Sequence, residues 1–224
     1  MFVLVHLLAG VLIGLTLTLI FRDRYVIIMA AVGSVLPDLI DKPLGHIFLA
    51  KSLDYGRIYA HTLLFISVFL IAGFILSLHY RRVGPIILAT IAGILSHQLL
   101  DFMWAEAANW CWPVFGPFEG DVPAGFLVNA FFSELTSPIE WTCGILALFL
   151  LVQAGVILLP GLLPYCRYAA IFGIIVGTAA FISGIFLQFS LQALHFSQID
   201  ITISSIIIIL GAGSLWWKWP EPRS

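Results

Sequence analysis

Residues 83–101 read VGPIILATIAGILSHQLLD, an apolar run that ends in two ionisable residues, His97 and Asp101. A run of about 20 predominantly apolar residues is typical of a transmembrane helix. His97 and Asp101 are four residues apart, so on a helix their side chains project from one face. Ionisable side chains are costly inside a membrane and usually mark a functional site. The stretch therefore predicts a membrane helix that carries part of such a site.

The whole chain has the same apolar character. Of its 224 residues, 61% are hydrophobic and 10% are charged, whereas soluble domains carry about 25% charged residues. The net charge is -2, and the ten Lys and Arg residues are dispersed along the chain. This excludes nucleic-acid binding through a basic surface. The three cysteines have neither metal-site nor disulfide spacing.

Hydropathy divides the chain into seven predicted spans, 2–21, 25–40, 58–78, 85–104, 138–159, 165–191 and 201–217. The second span is short and contains Pro37, so we expect a short or broken helix. The first lacks the basic start of a signal peptide, so we expect a retained span. The fold class is therefore an all-α integral membrane bundle. We expect residues 1–118 to carry the functional site and residues 119–224 to add three spans to the same membrane domain.

Loop charges orient the predicted spans, because Lys and Arg accumulate on the cytoplasmic side of a membrane. With the N-terminus outside, seven of the ten cations fall in inner loops or the tail: Arg22, Arg24, Arg81, Arg82, Arg167, Lys218 and Arg223. The outer loops hold the other three: Lys42, Lys51 and Arg57.

Four polar insertions then fall on the outer side of the membrane. They are His6 in span one, Asp38 and Asp41 in span two, Arg57 and His61 at the start of span three, and His97 and Asp101 at the end of span four. At a rise of ~1.5 Å per residue, His97 lies roughly 10 Å below the outer end of its helix. Four helices can therefore present imidazoles and carboxylates to one pocket.

Three His and three Asp side chains together are the ligand chemistry of a divalent cation. We expect zinc first, with Mn or Mg as alternatives, and one or two ions. A catalytic zinc ion lowers the pKa of its bound water to about 7. Arg57, one helical turn before His61, is then free to hold an anionic group such as phosphate. Further candidate ligands or bases on or near the same side are Glu106, Glu134 and Glu140.

The order of these motifs resembles the YdjM-type family of bacterial and archaeal inner-membrane, metal-dependent hydrolases. The resemblance is carried by His6, by GSVLPD at 33–38 with Asp41, by Arg57 to Thr62, by GILSH at 93–97 with Asp101, and by WPVFGPF at 112–118. It covers roughly residues 1–118, and the joint order is more specific than any one motif.

That family is considered a distant relative of the zinc phospholipase C group. The resemblance implies a phosphoester hydrolase of a prokaryotic cytoplasmic membrane. It implies His6, Asp38, His61, His97 and Asp101 as the metal ligands. No second HxxxE or HxxxD pair follows residue 101, which favours one or two ions over three.

The expected mechanism is attack of metal-activated water on phosphorus. Arg57 neutralises the phosphoryl oxygens, and Asp41 or a nearby glutamate handles the proton. A site facing the extracytoplasmic interface suits a membrane lipid as substrate. The stretch Trp104–Phe118 either lies beside the pocket and admits lipid or forms an ordinary aromatic belt.

Two other classes of function remain open on the sequence. A metal-ion or proton transporter also places His and Asp near helix breaks, but it needs a polar pathway to the other face. The inner halves of the spans contain few polar residues, which counts against transport. In a structural or partner-binding membrane protein, the same polar cluster would only lock helices together.

Overall fold

The structure is a computed structural model that describes residues 3–80, 82–118, 120, 126–155, 163–186 and 198–217. The chain divides into two compact units, Met1–Phe132 and Ser133–Ser224. Throughout the described ranges, regular secondary structure is helical. The all-α prediction is confirmed.

The first unit is built around helices α2 (Tyr25–Pro43) and α4 (Val83–Leu100). Helix α2 contacts α1 (Val3–Phe21) and α4, and α4 also contacts α1 and α3 (Leu63–His79). A π-helical turn, Leu44–Phe48, continues α2, and 3-10 turns at Tyr59–His61 and Met103–Ala105 precede α3 and follow α4. The helices are α1 Val3–Phe21, α2 Tyr25–Pro43, α3 Leu63–His79, α4 Val83–Leu100, α5 Ala107–Trp110 and α6 Phe126–Leu135, which crosses the unit boundary.

The second unit contains α7 Pro138–Gln153, α8 Leu163–Phe186 and α9 Gln198–Trp217. Helix α9 contacts both α7 and α8. The hydroxyls of Thr142 and Ser204 lie 2.8 Å apart between α7 and α9. A Cβ atom on Gly177 would lie 2.8 Å from Ile209, so this glycine permits a close approach of α8 to α9.

Among the described residues, α1 and α4 are long and apolar enough to cross a membrane. The bent pair Val128–Leu135 and Pro138–Gln153 adds a third span if it is counted as one. Shorter apolar helices lie at Leu63–His79, Tyr168–Ser183 and Ile199–Gly213. The number of seven spans therefore stays a prediction. Arg81, Lys218 and Arg223, used above for orientation, lie outside the described residues, as does the side chain of Arg167.

Two glycines set the spacing between α2 and α4. A Cβ on Gly33 would overlap the backbone carbonyl of Thr90, and one on Gly93 would overlap the carbonyl of Ala30. The two backbones are therefore in direct contact, as small residues permit in membrane helices. Helix α1 packs against α2 in the same way, through Gly10 and Gly14. These close contacts bring together the ends of α1, α2 and α4 that carry the predicted site residues.

Three helix ends near the site differ from the predicted spans. Helix α2 runs through Pro37 to Pro43, so it is three residues longer than the predicted span. Helix α4 ends at Leu100, and Asp101 is its C-cap rather than part of the helix. Helix α3 begins only at Leu63, where the hydroxyl of Thr62 accepts a hydrogen bond from Phe65 N.

The expectation that Arg57 lies one helical turn before His61 is therefore wrong. Arg57 lies before the 3-10 turn Tyr59–His61, and His61 is the last residue of that turn. The physical reason is Asp41, whose carboxylate accepts the backbone N–H groups of Ile58, Ala60 and His61. A side-chain acceptor of this kind offers the backbone an alternative to the α-helical ladder.

Candidate metal centre

Four buried side chains of the first unit converge on one point. Asp38 comes from α2, His61 from the 3-10 turn, His97 from α4 and Asp101 from the end of α4. One ligand atom from each lies within 4.8 Å of the other three. All four residues are buried, and His61 and His97 are completely so. These residues can hold a metal ion.

The spacings within the group suit one ion. The Nε2 atoms of His61 and His97 lie 3.1 Å apart, and each lies 3.7 Å from Asp38 Oδ1. Asp101 Oδ2 lies 3.9 Å from His61 Nε2. Ligand atoms bound tetrahedrally at zinc distances lie about 3.3–3.6 Å from one another. The observed distances fall on either side of that range.

Asp41 fixes the orientation of His61. Its Oδ2 lies 2.7 Å from His61 Nδ1, and both residues have no exposed surface. An ionised carboxylate can only accept, so the Nδ1 atom carries the proton. The Nε2 atom of a neutral His61 therefore presents its lone pair to the cluster. A carboxylate behind a ligating histidine is a common outer shell of metal sites.

A backbone carbonyl fixes His97 in the same way. His97 Nδ1 donates to the carbonyl oxygen of Ser34 at 2.7 Å. Pro37 has no N–H to donate to Gly33, so the hydrogen-bond ladder of α2 is interrupted beside this carbonyl. The Nε2 atom of a neutral His97 then also carries a lone pair. Two lone pairs that face each other beside two carboxylates favour a cation between them, and this donor set fits a metal ion.

His6 lies at the edge of the group and is also buried. Its Nε2 atom is 3.3 Å from Asp101 Oδ1. Its ring centroid is 4.2 Å from that of His97. The structure therefore brings the five predicted ligands together, with four in one tight group and His6 against Asp101.

Arg57 is not free, in contrast to the expectation from sequence. Its Nε atom lies 3.2 Å from Asp101 Oδ2, and Nη1 donates to Glu106 Oε1. Glu106 Oε2 accepts from the Tyr55 hydroxyl and from Asn109 Nδ2. Glu106 thus holds Arg57 in place beside Asp101, rather than joining the four-residue group.

Hydrogen bonds and ion pairs among Tyr55, Arg57 and Glu106 favour the charged forms of Arg57 and Glu106. Burial disfavours the charge on Arg57, but Asp101 and Glu106 outweigh it and raise the pKa of the guanidinium. Burial likewise disfavours the charge on Glu106, but hydrogen bonds from Tyr55 and Asn109, with Arg57 nearby, lower the pKa of that carboxyl. Burial and the Glu106 contact raise the pKa of Tyr55 above its usual value. Tyr55 therefore remains a hydrogen-bond donor.

The charges linked to the cluster do not cancel. Lys42 Nζ lies 2.5 Å from Asp38 Oδ2, and Arg57 contacts Asp101. With neutral imidazoles, four carboxylates and two cations leave two negative charges, which is the charge that one divalent ion neutralises. The carboxylates are those of Asp38, Asp41, Asp101 and Glu106, and the cations are Lys42 and Arg57.

Sequence reasoning missed several residues around the centre. Ser34 acts through its carbonyl, which no side-chain motif reveals. Gln98, directly after His97, is completely buried and reaches the His61 turn. Lys42 follows Asp38 at a spacing of four residues, which places both side chains on one face of α2 because that helix extends to Pro43. Glu134 and Glu140, the other candidate acids, belong to the second unit.

The fold and the buried cluster define an all-helical membrane protein with a candidate metal centre. The chain belongs to the YdjM inner membrane protein family, whose model matches residues 1–167. The match extends beyond the site-bearing helices to include α7. This family match establishes that the chain is an inner membrane protein. Searches of curated proteins and of solved structures give no significant match.

Proposed function

We propose that this protein is a membrane-embedded, metal-dependent hydrolase that cleaves a phosphoester of a lipid or of another membrane-associated substrate. The observation that carries the proposal is the pair of imidazole nitrogens, His61 Nε2 and His97 Nε2, 3.1 Å apart with both Nδ1 atoms committed to acceptors. Two buried carboxylates adjoin this pair. The residual charge of two negative units supports a divalent ion.

Asp38, His61, His97 and Asp101 would hold the ion, with His6 beside Asp101. A bound divalent ion supplies Lewis-acid chemistry, since it polarises a phosphoryl oxygen and lowers the pKa of water. Zinc fits two imidazoles with carboxylates, and Mn or Mg fits the carboxylates. We favour one ion, because four ligand atoms meet at one point.

The neighbouring residues have distinct roles in this proposal. Both oxygens of Asp41 accept hydrogen bonds from the backbone or from His61, so we assign it the positioning of His61 rather than the proton transfer expected from sequence. Arg57 orients Asp101 and is 30% exposed at its side chain. Its remaining N–H groups are available to an anionic group of the substrate.

We place the centre on the extracytoplasmic side of the inner membrane. The described loops at the opposite end of the first unit expose Arg22, Arg24 and Arg82. Such cations favour the cytoplasmic side. Labelling of Lys51→Cys in intact cells, in protein whose native cysteines are replaced by serine, tests this placement. Reaction with a membrane-impermeant maleimide supports it, and labelling only after permeabilisation contradicts it.

The central experiment combines metal content and turnover. Purified wild type is compared with His97→Ala and with His79→Ala, an exposed histidine at the other end of the unit. We measure bound metal by elemental analysis after chelator-free purification, and phosphate release from a panel of membrane lipids. Wild type and His79→Ala should hold about one equivalent and release phosphate, whereas His97→Ala should lose both.

Other outcomes separate the rival functions. Metal flux into vesicles without phosphate release indicates a transporter. Loss of the folded, monodisperse protein in His97→Ala without metal in wild type indicates a structural cluster, in which a proton rather than a metal bridges the two imidazoles. Absence of stoichiometric metal from wild type refutes the proposal.

A further inference from the structure

The loop after α4 has an exposed surface unlike that of a solvated loop. Between residues 102 and 118, every exposed residue is apolar, led by Phe102, Trp104, Val114 and Phe115. Val114 is 80% exposed and Phe115 is 64% exposed. The segment between α2 and α3 differs, because it exposes the polar residues Lys51 and Ser52 in addition to the apolar Ile47 and Phe48. Large exposed apolar patches mark sites of interaction.

The apolar surface is continuous with the lipid-facing side of α4. Leu99 and Leu100 at the end of this helix are exposed, and Phe102 and Trp104 follow them directly. In an inner membrane protein, exposed apolar helix faces contact lipid. Aromatic side chains in such positions prefer the level of the head groups. The chemistry of the patch therefore fits the interfacial zone of the same bilayer.

The base of this loop is attached to the turn that carries His61. Trp112 and Phe118 stack with ring centroids 4.9 Å apart. Both pack edge-on against Tyr59, at 5.4 and 5.1 Å. Tyr59 begins the 3-10 turn that His61 ends. The exposed tip at Val114 and Phe115 is thus flanked by an aromatic base, Trp112 and Phe118. This base contacts the turn that ends at His61.

Gln98 makes a second connection between the same segments. Its Nε2 atom donates to the carbonyls of Ala60 and Thr62, the two neighbours of His61, at 3.1 and 3.3 Å. Its Oε1 atom accepts from the indole of Trp110 at 2.8 Å. Gln98 therefore holds the backbone on both sides of His61 and connects it to α5.

We propose that residues 107–118 form a membrane-contacting arm, with Val114 and Phe115 inserted among the phospholipid head groups and the base bracing the His61 turn through Tyr59 and Gln98. The arm deepens the function proposed above, because it rests on the same metal centre. It holds the metal-binding turn at the bilayer interface, where a lipid substrate carries its phosphate. Gln98 acts as a positioning residue for His61.

The insertion is tested with a fluorescent label on a cysteine at Phe115, in full-length protein whose native cysteines are replaced by serine. Lys51→Cys, on the other loop of the same end, is the matched control. The protein is reconstituted in vesicles of equal parts phosphatidylcholine and phosphatidylglycerol. A lipid-borne nitroxide should quench the label at 115 about threefold more than the label at 51. Aqueous iodide should quench in the opposite order.

Two results overturn the insertion. Equal iodide quenching at both positions places the tip in water. Shielding of the label at 115 from both quenchers assigns the patch to a protein partner or to a second copy of the chain.

The brace is tested by metal affinity, measured by titration with Zn²⁺. Gln98→Leu should weaken binding by about tenfold, the usual effect of losing an outer-shell partner. Trp110→Phe, which keeps an aromatic ring but loses the indole N–H donor, should weaken it by about threefold, and it serves if Gln98→Leu does not fold. Thr90→Val, on the same helix but with its hydroxyl bonded within α4, is the control and should bind like wild type.

The failures of the two proposals are distinguishable. Wild type that binds no Zn²⁺ refutes the metal centre. Wild type, Gln98→Leu and Trp110→Phe that bind equally tightly refute the brace and leave the metal centre intact.

Discussion

The two halves of the α2–α4 pair are built in opposite ways. Away from the candidate metal centre, Val26, Ala30 and Ala89 form a buried apolar cluster against α1. Toward the centre, the same helices bury Asp38, Asp41 and His97. Close packing keeps the helices at a fixed distance, whereas hydrogen bonds to acceptors on α2 orient the imidazoles of His61 and His97. The apolar half thus fixes the spacing of the helices, and the polar half carries the candidate metal ligands.

The largest expected effect comes from removing Asp41 from the polar half. Asp41→Ala leaves three backbone N–H groups and the His61 ring without their acceptor. Each unsatisfied buried donor costs about 1–3 kcal/mol, so we expect at least about 3 kcal/mol of lost stability. Metal affinity should fall by about 10–100-fold. Thermal unfolding in detergent and Zn²⁺ titration measure the two effects.

Asp41→Asn is the matched variant, because its amide oxygen still accepts the backbone N–H groups. It should unfold at a temperature between those of wild type and Asp41→Ala. Equal stability of all three proteins would show that the polar half does not depend on this carboxylate.

An intermediate effect is expected at the glycine contact of the apolar half. Gly93→Ala places a methyl group against the carbonyl of Ala30, and overpacking of this kind costs about 1–3 kcal/mol. Gly84→Ala on the same helix meets only Ser77 Cβ at 3.4 Å. It should be neutral or gain up to about 1 kcal/mol from helix propensity. Identical melting temperatures for the two variants would contradict the close contact.

The smallest effect is expected at Ser34. His97 donates to the Ser34 backbone carbonyl, while the Ser34 hydroxyl donates to Ala31 within α2. Ser34→Ala should therefore change stability by less than about 1 kcal/mol. Zn²⁺ affinity should equal that of wild type, since the carbonyl remains. A tenfold loss of affinity in titration would mean that the side chain, not the backbone, orients His97.

The sequence predicted the all-helical fold and the group of converging residues, because both depend on local pattern. The spacing of His97 and Asp101 and the ends of apolar runs are readable from a few neighbouring residues. An antiparallel arrangement of the first four helices then brings one end of each together. These local patterns and the order of the helices were enough to predict that five residues converge: His6, Asp38, His61, His97 and Asp101.

The parts that escaped prediction depend on contacts distant in sequence. Glu106 accepts a hydrogen bond from Arg57, which lies 49 residues earlier in the chain. Asp41 accepts hydrogen bonds from backbone N–H groups that lie 17 to 20 residues further on. Such contacts depend on the path of loops, which hydropathy does not describe. The same loops replaced the expected start of α3 with a 3-10 turn.

A metal ion bound at this centre would also stabilise the folded protein. A ligand that binds only the folded protein adds about 2.7 kcal/mol of stability at a free concentration 100 times its Kd. Total stability of a folded protein is about 5–15 kcal/mol, so a divalent ion bound among Asp38, Asp101 and two imidazoles would supply a large share. Metal starvation would then lower the amount of this protein through degradation, before any change in the expression of its gene.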